Sequence, residues 1–139
     1  MSKQPRYALI ASVAMPFERA DELVRQALHG EGFGVLTEID VAATLKKKLD
    51  VDFPPYRILG ACAPQMAHQA LQLEPDIGLL LPCNVVVRQG SDGTTVVEAL
   101  DPVVQLGVSD NEKLVPLARE VRARMERVID RVRTGSTAG

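Results

Sequence analysis

The chain has no tryptophan, three phenylalanines, two tyrosines and two histidines among its 139 residues. So few aromatic rings leave little with which to stack nucleobases. The formal net charge is -2, so no global basic field draws in nucleic acid, and such a partner is not expected. No apolar run approaches the roughly 18 residues that a membrane span needs. Ala8 to Met15 is apolar but only about half the upper length of a secretory signal core, and a charged amphipathic segment follows at once. With only two cysteines and no such signal, the chain is expected in the reducing cytoplasm, where thiols stay free. Named catalytic patterns are missing too. Gly32-Phe33-Gly34 lacks a third glycine and a following Lys-Ser or Lys-Thr, so its glycines serve a turn and close packing instead of a phosphate. No CxxC or HxxxH pair is present, and no cofactor is indicated.

What the chain does hold is 46% hydrophobic residues, enough for one domain that buries roughly two-thirds of its unfolded surface. Residues 1–108 carry 9 basic and 13 acidic side chains, and residues 109–139 carry 7 and 5, so the C-terminal segment is mildly basic.

Residues 6–15 read as a buried strand ended by Pro16, which fits the first turn of a helix. Phe17, Ala20, Leu23, Val24, Ala27 and Leu28 share one face of that helix, opposite Glu18, Asp21, Glu22 and Arg25. A second strand, Phe33 to Ile39, leads to Asp40 as the cap of a helix from Val41 to Leu49. Lys46, Lys47 and Lys48 lie in its last turns, where the helix dipole favours cations. After the Pro54-Pro55 loop, Tyr56 to Cys62 is a third strand and Pro64 opens a short helix that stops at Glu74-Pro75-Asp76. Leu79 to Arg88 and Thr94 to Leu100 read as a hairpin, with Pro82 predicting an edge strand or a bulge. Asp101-Pro102 ends the sheet region. Ser109 and Glu112 have capping-box spacing before a long helix whose seam runs from Leu114 to Val132, with a kink expected at Pro116.

Alternation of strands and helices alone fits a parallel doubly wound sheet, but the helices are short and the hairpin is antiparallel. The expected class is therefore α+β: a single compact domain with a mainly antiparallel or mixed sheet covered by helices. Residues 1–108 form this domain, 109–133 a C-terminal helix packed on it or at a dimer interface, and 134–139 a disordered tail.

Three ordered motifs carry a resemblance: Gly32 to Asp40, Tyr56 to Cys62, and Leu79 to Val85. Over residues 6–102 the chain resembles the bacterial and archaeal family known as domain of unknown function 302, with the long helix mostly outside the likeness. The resemblance implies a small α+β domain that pairs as a homodimer, with no established enzymatic activity. Ala63 departs from the asparagine that the family usually places between its cysteine and its proline, so any ligand or capping role of that amide is lost here.

Cys62 lies two positions before Pro64, near a predicted helix start, where N–H groups and the dipole stabilise a thiolate. The plainer reading is a small apolar side chain that closes a strand. Cys83 sits in an apolar run, and whether it faces Cys62 depends on strand order. Cys62, Cys83 and His68, with Glu38 as an acidic addition, are zinc-type ligands, though their spacing matches no zinc motif. Glu38 and Glu98 stand among apolar neighbours on strands, where a buried carboxylate gains a raised pKa; solvent is the expected place for Glu98. Arg119, Arg122, Arg124, Arg127, Arg131 and Arg133 interleave with Glu120, Glu126 and Asp130, the pattern of a solvated, ion-paired helix face.

The first functional expectation is a cytoplasmic homodimer that binds a small ligand or acts as a scaffold, with Thr37, Glu38, Cys62, Cys83 and Asn84 around any pocket. The second is a thiol-dependent enzyme or redox sensor that uses Cys62 with Cys83 as resolving partner. The third and weaker one is nucleic-acid binding through the arginine-bearing helix.

Overall fold

The computed structural model describes residues 4–135. Strand β1 (Ala8–Val13) is followed by helix α1 (Phe17–Gly30), with Pro16 at its N-cap. The helix closes with the N–H of Gly32 on the His29 carbonyl and that of Phe33 on Leu28, at 3.1 and 2.9 Å. Gly32 sits at φ 84°, a conformation that a side chain would strain. Strand β2 (Gly34–Asp40) leads into helix α2 (Val41–Leu49), where the Asp40 carboxylate accepts the Ala43 N–H at 2.9 Å, the cap read from the sequence. Strand β3 (Tyr56–Cys62) and helix α3 (Pro64–Leu73) follow, then a 3-10 turn from Pro75 to Leu80. The expected hairpin of β4 (Cys83–Gln89) and β5 (Thr95–Leu100) forms, but β4 begins at Cys83 and not at Leu79, which lies in the 3-10 turn.

The five strands form one antiparallel sheet in the order β1-β5-β4-β3-β2, which excludes the doubly wound alternative and gives the α+β class. β4 is central, and Pro82 lies just before it, so the edge or bulge expected there is absent. The bulge is in β2 instead, between Val35 and Thr37, and leaves Leu36 65% exposed.

Asp101 and Pro102 do not merely end the sheet. The Asp101 carboxylate accepts the Val103 N–H at 2.9 Å and starts helix α4 (Pro102–Gly107), a helix absent from the sequence reading. Its proline stands in the first turn, where the missing N–H costs nothing. The capping box expected at Ser109 and Glu112 does not form. Ser109 Oγ donates to the Leu106 carbonyl at 2.7 Å, while Asn111 caps a 3-10 turn from Glu112 to Leu114. The long helix α5 (Val115–Gly135) begins after that turn. Pro116 thus falls in its first turn and starts the helix instead of kinking it. Thr134 and Gly135 are helical, and the remainder of the expected tail, 136–139, lies outside the described residues.

Strand alternation divides the sheet into two unlike faces. Ala11, Val13, Leu59, Ala61, Val85, Val87, Val97 and Ala99 meet α1 and α5 in one continuous core, with Val24, Leu28, Met125 and Val128 fully buried. A smaller cluster of Ala70, Ile77, Leu106, Leu114 and Ala118 joins α3, α4 and the start of α5. The other face presents Ile10, Ser12, Tyr56, Val86, Val96 and Glu98 around a shallow open concavity of about 730 Å³, edged by Gln4, Pro5 and Tyr7. No helix among the described residues is long and apolar enough to cross a membrane.

Candidate functional site

The expected pocket residues occupy three separate places. Cys62 at the end of β3 and Cys83 at the start of β4 share a cavity of about 40 Å³, with Phe33, Met66, Gln105 and Leu106 among its walls. Register places Ala61, not Cys62, opposite Cys83, so the two cysteines meet at one end of the sheet only as walls of this cavity. Neither is disulfide-bonded. Buried Gln105 donates to the carbonyls of Leu80 and Pro82, which holds the chain entering β4.

Burial pushes the Cys62 thiol above its ordinary range, and the nearby start of α3 does not reverse that direction. The Cys83 thiol donates to the Leu100 carbonyl at 3.4 Å and is pushed up to about 12, first by burial and then by the Asp101 carboxylate. Taking a charge out of water disfavours the thiolate in both cases. His68 is exposed on α3 and does not line the cysteine cavity. Among the described residues no three His, Cys, Asp or Glu side chains gather as metal ligands, so Cys62, His68 and Cys83 do not form the trio expected from their chemistry.

Native Cys83 is therefore expected to resist alkylation until the pH nears 12 or the chain unfolds. Its folded pKa lies above the unfolded one, so its contribution to stability is full below pH 9 and is lost as the pH rises toward 12. Urea midpoints at neutral and alkaline pH check this: Cys83→Ala should lose less stability on alkalinisation than the native chain.

Thr37 and Asn84 lie on the open face, one on each side of Gly60, which pairs with both. Gly60 is needed by close approach. A Cβ there would overlap Thr37 Oγ1 and stand 2.9 Å from Pro82 Cγ. Glu38, next to Thr37, points to the opposite side of the sheet, into an ion cluster.

That cluster is the site that sequence reasoning missed. Asp21 has only 7% of its side chain exposed and receives Arg25 Nε at 2.6 Å and Arg57 Nη1 at 3.1 Å. Arg25 also bonds Glu38. Arg57 takes both Glu18 oxygens at 3.1 Å and lies 4.8 Å over the Phe17 ring. These carboxylates raise both guanidinium pKa values above their ordinary one, led by Glu18 for Arg57 and by Asp21 for Arg25. Two signals were available. Asp21 and Arg25 are spaced for a helical pair, and Arg57 shares strand parity with buried Leu59 and Ala61.

Glu98 faces the open side but is only 19% exposed, since it pairs with Arg88 at 2.9 Å. Four arginines of α5 are engaged within the chain. Arg122 meets Asp101 at 2.9 Å and also Glu126, Arg124 meets Glu120 at 3.3 Å, Arg127 meets Glu31 at 2.9 Å, and Arg133 donates to the Ile10 carbonyl at 2.8 Å.

A five-stranded antiparallel sheet with one helix-covered face, no assembled metal cluster among the described residues, and one buried and one half-buried thiol defines a small α+β domain. The chain belongs to the family described as domain of unknown function DUF302, matched over residues 10–132. That span includes almost all of α5, which the motif likeness had left outside. The chain is also similar to an uncharacterized conserved protein DUF302 from Bacillus stearothermophilus, seen in a crystal structure: 31% identity, TM-score 0.85, covering 93% of this chain and 100% of that one. Comparison with curated proteins finds no match.

Proposed function

We propose that the protein acts as a cytoplasmic homodimeric scaffold in which the open sheet faces of two copies come together. The observation that carries this reading is the uncovered sheet face itself. Antiparallel sheets that face water alternate apolar and polar positions, yet Ile10, Ile58, Val86, Val96 and Leu100 all stand on this side. Arg88 and Glu98 on this face supply both signs, which a two-fold pairing can match against each other. Two free cysteines support the reducing compartment.

Sedimentation of the native chain should give a dimer, and Val86→Lys, which sets like charges face to face, should give a folded monomer by circular dichroism. A native monomer, or an unchanged dimer with Val86→Lys, overturns the proposal. A second reading, small-ligand capture at the rim of the same interface, is favoured by Thr37 and Asn84, whose hydroxyl and amide flank Gly60. The raised pKa values of Cys62 and Cys83 speak against a thiol enzyme, and the engaged arginines of α5 speak against a nucleic-acid surface.

A further inference from the structure

We draw no further inference here: the strongest candidate, the apolar groove of about 440 Å³ between α4 and the start of α5 with Val103, Leu106, Leu114 and Val115 on its walls, carries nothing, because nothing in the structure shows what covers it.

Discussion

A chain ended after Val108 is expected to show no cooperative unfolding transition. α5 places Met125, Val128, Ile129 and Val132 in the main core at exposures of 0 to 2%. Each such side chain contributes about 1.5–3 kcal/mol by burial. Four of them approach the whole stability of a domain, about 5–15 kcal/mol. The sheet residues under the helix, Ala11, Val13 and Val97, would also meet water. A graded form of the experiment is Met125→Ala, expected to cost about 2–5 kcal/mol through lost transfer energy and the cavity left behind. Urea titration followed by far-UV circular dichroism reads both. A shortened chain that still melts cooperatively would show that residues 1–108 hold a sufficient core of their own.

Asp21→Ala is the second large effect, a loss of about 2–3 kcal/mol. Breaking a fully buried pair from one side costs about 3–5 kcal/mol, and partial exposure lowers that figure here, since Arg57 and Arg25 show 18% and 35% of their side chains to solvent. The cost arises because Asp21 is shared. Its removal leaves Arg57 on Glu18 and Glu38 alone, beside the Phe17 ring. Asp21→Asn, which keeps the shape and one hydrogen bond, should fall between. Combining Asp21→Ala with Arg57→Met should cost less than the sum of the two, because the stranded charge is gone. Additive losses would show that the two residues do not act as a unit.

Much of the fold was legible where local chemistry decides alone. The Asp40 cap, the turn after Arg88 and the alternation in β4 and β5 each state their own structure. α4 was missed because Asp101-Pro102 reads equally as an end and as a beginning, and only the capping bond to Val103 selects the latter. Asp21 was placed on the solvent side of α1 because its partner Arg57 comes from another strand, a long-range pairing that helical periodicity does not contain. The candidate site shows a different limit. Thr37 and Glu38 were grouped together, yet neighbours on a strand point to opposite faces, so one reaches the open side and the other the ion cluster. Strand order alone brought Cys62 and Cys83 to one cavity. Which face of the sheet stays open is not written in alternation either, because apolar residues stand on both.

The pairing of the first strand with the last has a consequence for synthesis. Ala8 finds its partner in Leu100, so β1 leaves the ribosome long before the strand that completes it. At about 5–20 residues per second, Ala8 to Val13 waits roughly 5–20 s with its backbone groups unclaimed. Until α5 has also emerged, α1 alone covers the inner face of the sheet. The domain is thus a nearly all-or-none folder in time, finishing only when α5 is in hand.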